Sequence, residues 1–436
     1  MKRDPDARDL TMRYMERFRC IGPDCEDNCC HGWTVEIDAL THQRMQKVTQ
    51  LHSPAERRRY AGAVTKVNLD GKKGRKARPM TIFRLGADSA CTMLEPNGLC
   101  HIQSTFGEKL LSNVCAVYPR RIQKVGKAIE LSGMASCPEM ARQLLLHADA
   151  TDEVPLDRAA MSRVVVTHGM DPRDVRPYWR LLVDVRTFML GLLRRPGYTL
   201  EQRLFFMTWF AKRASPILNK STQKADVTAV VAEMKALEGD ATLGELARRL
   251  DAVETDSAVV LLLARELVRS RDPKKQRRSF RQLVDEVFAE YLSVRVYQEG
   301  DLESPDAESH AKRLWGEYRK RRAGILEKAR PRIDQYLANV AHNYWMHRLP
   351  LEAPDLMVYM LRLLTLHAVF KLLVFSHPSV QRDGDDFERR LDAVAVDVLY
   401  RTARYIEHSP LLTALETGLG NANLRSLAGA VYLISF

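Results

Sequence analysis

Apolar positions recur at helical spacing over most of the chain beyond Pro155. Tyr178–Leu193 is apolar on nearly every side, the pattern of a helix enclosed by others. Leu200–Ala214, Ala225–Leu237, Thr242–Leu250, Ser257–Arg269 and Ser279–Tyr297 follow as further predicted helices. Pro196-Gly197, Glu238-Gly239-Asp240, Asp272-Pro273 and Glu299-Gly300-Asp301 punctuate them. Arg313–Ala329 is densely charged, with Trp315, Tyr318 and Ile325 as its apolar side. Leu356–Phe375 is the most apolar stretch, yet it carries Arg362, His367 and Lys371. Charges at mid-depth are costly in a bilayer, so this pattern predicts a core helix with one polar edge. Leu424–Phe436 is apolar again and is expected to dock on the body.

Before residue 150 the pattern changes. Short strands are expected around Thr34–Ile37, Thr81–Arg84 and Ile129–Ser132, and Phe106–Leu111 reads as a short helical stretch. Tyr118, restricted by the following Pro119, is expected to be extended. Pro138 suits the first turn of an apolar helix that runs from Met140 to His147. The expected fold class is mainly α: an N-terminal cysteine-rich module with short strands over residues 1–150, then an all-helical body over 151–436.

All eight cysteines of the 436 residues lie between Cys20 and Cys137. Four are packed as Cys20-x4-Cys25-x3-Cys29-Cys30, and four follow as Cys91-x8-Cys100-x14-Cys115-x21-Cys137. The N-terminus carries charges of both signs and no apolar signal core, so the chain is expected in the cytoplasm. Disulfides are rare there, and clustered thiols point to metal ligation or redox chemistry. Buried inert thiols are the bland alternative. A structural zinc site usually shows two closely spaced cysteine pairs; only Cys25-x3-Cys29 resembles one. Iron–sulfur clusters also take four thiolates, with looser spacing where the fold gathers them. Cys29 and Cys30 are adjacent and cannot easily chelate one ion together. The eight thiols therefore suit two four-coordinate sites, or one site plus a redox or structural set.

The turn signal Pro96-Asn97-Gly98 would bring Cys91 and Cys100 together. Cys137 precedes a helix N-terminus, which favours a thiolate. His31 and His101 adjoin Cys30 and Cys100 as ligands, as outer-shell groups, or simply as polar neighbours. Tyr118 and Arg120 stand beside Cys115, either as contacts to a substrate or cluster or as a packed turn. His342 and His347 have the wrong spacing for a chelating pair on one helix face. Glu407-His408 reads as an acid–base pair or, more blandly, as a helix end capped by His408.

The formal net charge is +12. Ten Lys and Arg residues between Arg57 and Arg84 face a single Asp70. The run Gly71-Lys72-Lys73-Gly74-Arg75-Lys76 reads as an exposed loop or hairpin tip. Such a patch would attract phosphates or an acidic protein, but no aromatics interleave it for base stacking. It is read as a solvated connector, with no nucleic-acid partner and no membrane expected. A dinucleotide-type cofactor loop is missing: Gly418-Leu419-Gly420 follows no strand. Cys25-x3-Cys29 opens the spacing of radical S-adenosylmethionine enzymes, but Cys30 follows at once and the pattern fails.

Taken together, Cys20-x4-Cys25-x3-Cys29-Cys30-x-Gly32-Trp33, Cys91-x2-Leu94-x3-Gly98-x-Cys100-x-Ile102, Cys115-x2-Tyr118-Pro119-Arg120 and Cys137-Pro138-Glu139 resemble the flagellin lysine N-methylases of the FliB type. This module also resembles small cysteine-rich proteins described as zinc- or iron-chelating domains. Further echoes of the methylases run in family order towards the C-terminus. They are Tyr178-Trp179, Tyr198-Thr199-Leu200-x2-Arg203-Leu204, Tyr336-Leu337-Ala338-Asn339 and Arg404-Tyr405-Ile406-Glu407-His408-Ser409-Pro410.

The resemblance implies a cytoplasmic enzyme that moves methyl groups from S-adenosylmethionine to lysines of flagellin. It also implies an iron–sulfur cluster, of the 4Fe–4S type, with zinc as the alternative. Cys20, Cys25, Cys29, Cys30, Cys91, Cys100, Cys115 and Cys137 are the candidate metal ligands. No motif points to catalytic residues or to an S-adenosylmethionine site. The rival reading is a non-enzymatic metal-binding or redox-sensing protein that grips a protein partner with its helical body. Oligomeric state is left open.

Overall fold

The computed structural model describes residues 8–69, 78–161, 163–219, 224–255, 278–291, 307–407, 420 and 425–436. As far as residue 170 these form β1 (Leu10–Met12), α1 (Ala39–His52), α2 (Pro54–Ala63), β2 (Val64–Leu69), β3 (Arg78–Phe83), β4 (Arg120–Val125), β5 (Ala128–Gly133), α3 (Pro138–Leu145), β6 (Glu153–Pro155) and β7 (Val166–Met170). The local chemistry explains most of the starts. Asp38 caps α1 by accepting from the Thr41 N–H at 3.0 Å. Ser53 does the same for α2 at the Glu56 N–H, 3.1 Å away, with Pro54 in the first turn.

β2 and β3 pair antiparallel from Val64↔Phe83 to Leu69↔Arg78. The basic tip expected at 71–76 lies outside the described residues. The stretch expected to be helical over Phe106–Leu111 is two pieces: a short helix, His101–Phe106, and a 3-10 turn, Glu108–Leu110. Gly107, at φ 82°, separates them, because a left-handed residue ends a helix.

The larger sheet has the order β6-β1-β5-β4-β7. β4 and β5 form a hairpin from Arg120↔Gly133 to Val125↔Ala128. β1 runs parallel to β5 and antiparallel to β6, and β7 runs parallel to β4. Only β5 was anticipated here, at Ile129–Ser132.

The body follows as α4 (Pro177–Leu193), α5 (Leu200–Ala214), α6 (Val227–Ala236), α7 (Asp240–Asp251), α8 (Arg278–Tyr291), α9 (Ala307–His347), α10 (Leu356–Ser376), α11 (Phe387–Glu407) and α12 (Leu427–Ser435). The protein is mainly α, as its periodicity predicts. α5 opens with a capping box between Thr199 and Gln202. The charged segment Arg313–Ala329 is part of the 41-residue α9, which continues through Pro331. Ala329 leaves helical geometry there (φ −143°, ψ 26°), since proline lacks an N–H and crowds the preceding turn. The expected helix Ser257–Arg269, residues 292–297 of Ser279–Tyr297, Gly418-Leu419, His408 and Leu424 lie outside the described residues, as do the breaks at Asp272-Pro273 and Glu299-Gly300-Asp301.

α10 is the one helix among the described residues long and apolar enough to cross a membrane, and 94% of its apolar window is buried inside the protein. It is a core helix. Its polar residues are met from within: Arg362 donates to the Glu352 carbonyl at 2.7 Å and Lys371 to the Ile434 carbonyl at 2.9 Å. The second bond ties α10 to the docked α12. Burial lowers the Lys371 pKa from 10.5 to about 7, with Arg322 adding to the shift. The unfolded chain keeps this proton until about pH 10.4. Stability should therefore rise between about pH 7 and pH 10, the burial penalty being fully present below that window. Lys371→Met is expected to stabilise the protein most at neutral pH and below, and to flatten this rise. Urea midpoints of both proteins at about pH 6.5 and pH 9 check it; parallel shifts would refute it.

Two apolar cores form. The larger joins Met12, Tyr14, Ile122, Ile129, Leu131 and Leu144 to the helices of the body, so it runs across residue 150 without a break. Polar clamps cross the same seam. The Tyr14 hydroxyl donates to Asn343 Oδ1 at 2.6 Å, Gln123 Nε2 donates to the His347 carbonyl at 2.9 Å, and Arg186 pairs with Glu130 at 2.7 Å. The smaller core gathers Val35, Ile37, Met45, Tyr60, Phe83, Met93, Ile102 and Leu111, with Trp33, Cys91, Cys100 and Cys115 packed against it.

Candidate metal centre

The loop Cys25–Trp33 has little regular structure and is held by specific bonds. Asn28 accepts from the Cys30 N–H at 2.8 Å and donates to the Gly98 carbonyl at 2.7 Å. The Cys91 N–H donates to the Cys30 carbonyl at 2.7 Å, and Trp33 Nε1 donates to the Cys29 carbonyl at 2.6 Å. The turn expected at Pro96-Asn97-Gly98 is present. Gly98 N–H donates to the Glu95 carbonyl and Glu95 N–H to the Leu99 carbonyl, both at 2.9 Å, with Gly98 at φ 79°. Ser112 caps the short turn Asn113–Val117 through the Cys115 N–H at 3.3 Å.

These bonds bring five cysteines to one small cavity of about 60 Å³: Cys29, Cys30, Cys91, Cys100 and Cys115. Trp33, Val35, Phe83, Leu85, Leu111 and Tyr118 supply most of the remaining wall. The Cys30 thiol is hydrogen-bonded to both Cys29 and Cys100, which favours thiolate on those two and holds the proton on Cys30. Burial pushes Cys115 up to about 12 and also raises Cys91. Cys137 is likewise pushed up to about 12, and Cys25 is raised, both chiefly by burial; the charges of Cys25 and Cys29 also raise Cys137, and that of Cys29 raises Cys25. Cys20 is solvent-exposed and does not line the cavity. All eight thiols are free.

The body reaches into this site. Arg404 on α11 is buried, pairs with Asp27, and is hydrogen-bonded to Tyr118. Its positive charge favours thiolate at Cys29 and Cys25. Tyr118 packs against Trp33 with ring centroids 5.4 Å apart. Ser279 also donates to Asp27, at 3.3 Å, and Arg142 pairs with the neighbouring Glu26. Sequence reasoning missed Asp27 and gave Arg404 no role, because nothing local relates residues so far apart along the chain.

The other candidates fall outside the cavity wall. His101 is buried with both ring nitrogens engaged, at 2.9 Å by Glu95 and at 2.7 Å by Glu56, so it braces the turn. His31 forms a bridge to Ala90. Arg120 lies over the Phe18 ring at 5.3 Å. His342 Nε2 contacts Arg194 at 2.8 Å and His347 Nδ1 the Asn343 carbonyl at 2.9 Å. Among the described residues, no three His, Cys, Asp or Glu side chains stand in ready-made ion-holding geometry. What converges is a set of sulfur donors in a partly apolar pocket, a chemistry that suits zinc or an iron–sulfur cluster.

Residues 186–433 match the model of the FliB lysine N-methylase C-terminal domain, more than half of the chain. The chain belongs to the FliB lysine N-methylase family. The matched region is the helical body, from within α4 to within α12; the cysteine segment precedes it. The lysine-N-methylase of Salmonella typhimurium (strain LT2) is 24% identical over 203 residues, 46% of each chain. That of Salmonella choleraesuis is 23% identical over 201 residues, again 46% of each. The flagellar biosynthetic protein FliU of Salmonella muenchen is 26% identical over 137 residues, 31% of this chain and 76% of that protein. The chain thus spans about half the length of the curated lysine-N-methylases it matches. No solved structure matches it.

Proposed function

We propose that this FliB-family protein transfers methyl groups from S-adenosylmethionine to lysine side chains of flagellin in the cytoplasm. The match of its helical body to the lysine N-methylase domain carries the reading. The flagellar name of one relative supports the choice of substrate. In the transfer, the lysine Nζ lone pair attacks the methyl carbon as the sulfur–carbon bond breaks. S-adenosylhomocysteine leaves and the amine gives its proton to solvent. The amine must be neutral to attack, and an enclosed pocket lowers its pKa. Alignment of the two reactants supplies much of the rate.

Cys29, Cys91, Cys100 and Cys115 would hold a metal, with Cys30 hydrogen-bonded to two of them. When bound, an iron–sulfur cluster or zinc supplies cross-links to a segment whose own core is small.

Anaerobically purified protein is expected to contain about four iron and four sulfide per chain, and to label purified flagellin from methyl-labelled S-adenosylmethionine. Zinc without sulfide would make the centre structural. Labelling absent with a cognate flagellin, together with metal- or redox-dependent capture of a partner, would replace the enzyme by the sensor reading.

A further inference from the structure

Against the thiol pocket lies a larger cavity of about 430 Å³. One segment forms a wall of both: Cys115 and Tyr118 line the thiol pocket, while Ala116, Val117 and Arg120 line the larger cavity. The remaining wall comes from β1 and the turn after it, from β4 and β5, and from the segment after β6.

The lining has two parts. Its floor is apolar and buried, with Phe18, Val117, Ile122 and Leu131. Its mouth carries charges of both signs: the exposed carboxylates Glu16, Glu108 and Asp157, and the guanidinium groups of Arg19, Arg120 and Arg163. Two of these arginines are held in place by neighbours outside the mouth. Arg120 lies over the Phe18 ring, and Arg163 donates to the Leu111 carbonyl at 2.9 Å and to Asn113 Oδ1 at 3.0 Å. A cavity of a few hundred Å³ with an apolar floor and a few convergent polar groups is the usual form of a small-ligand site. By contrast, the cavity between α9, α10 and α11 measures only about 50 Å³.

We propose that this cavity is the S-adenosylmethionine site. The ligand's chemistry matches the lining in three respects. An adenine ring suits an aromatic and aliphatic floor. A sulfonium and an ammonium suit carboxylates at the mouth, and an amino-acid carboxylate suits a fixed guanidinium. The inference rests on the methylase reading and gives its methyl donor a place. It also puts donor and thiol centre on opposite sides of one helical turn.

Calorimetric titration of the full, metal-loaded protein with S-adenosylmethionine and with S-adenosylhomocysteine tests it. Met161, partly buried on the lining, is the site for a bulky block: Met161→Trp is expected to abolish binding of both. Glu16→Gln with Asp157→Asn is expected to weaken the cationic donor by roughly fivefold, the scale of an exposed charge pair, and the uncharged thioether much less. The charge variant alters surface positions, so it remains informative if Met161→Trp fails to fold. Binding by wild type that neither variant changes would overturn the site and leave the methylase reading standing. No binding of either ligand by wild type would overturn both.

Discussion

Glu130→Ala is expected to cost about 3–5 kcal/mol of folding stability, the loss typical of a buried ion pair stripped of one partner. Glu130 on β5 and Arg186 on α4 meet at 2.7 Å with side-chain exposures of 2% and 0%. Arg186 would be left charged, because guanidinium does not deprotonate in proteins, and enclosed by the large core. Among the described residues its Nε and Nη1 atoms already lack acceptors, so the loss of Glu130 falls on a group with no alternative there. The double replacement Glu130→Leu with Arg186→Met should recover most of the loss, since apolar groups of similar volume often replace such pairs without cost. Urea unfolding at neutral pH measures all three. A single-mutant loss below about 1 kcal/mol would mean that the pair does not hold the sheet to the body.

Arg404→Ala is expected to loosen the cysteine loop from the body. The Arg404 side chain is 3% exposed and its partner Asp27 15%, which places the cost near the lower end of the buried range, about 3 kcal/mol. Tyr118 loses a hydrogen-bond partner in the same step. Because Tyr118 and Trp33 wall the thiol pocket, metal should leave the variant faster. Release to a chelator, followed by absorbance, reads this directly. Arg404→Lys keeps the charge but not the planar fork, and should fall between wild type and Ala. Release rates identical in all three would show that α11 does not brace the centre.

Most helices of the body were legible because their causes are local. Apolar residues recur with the helical period, while Pro196-Gly197 and Gly239 break the pattern where observed helices end or begin. Leu356–Phe375 could be read as a core helix because Arg362, His367 and Lys371 interrupt it, and the structure buries it. The sheet was mostly illegible. β1 and β6 are three residues long, too short for a period-two pattern, and β1 finds its partner at Glu130, far along the chain. α1 and α2 escaped notice because they bury few residues each and lack a strong apolar stripe.

The candidate site divides in the same way. The Cys91–Cys100 approach followed from a turn within ten residues. The gathering of Cys29, Cys30 and Cys115 at the same cavity rests on bonds between segments with no sequence relation, such as Asn28 to Gly98 and Cys91 to Cys30. By itself, the sequence determined that the body is helical, that the thiols crowd into the first third of the chain, and which turn joins two of them. Periodicity, composition and turn chemistry act over a few residues and need no folded context. Only the tertiary structure decided which five thiols share a cavity, that Arg404 braces it, and that a second cavity shares its wall. Burial and long-range pairing create those relations, and they exist only once the chain has closed on itself.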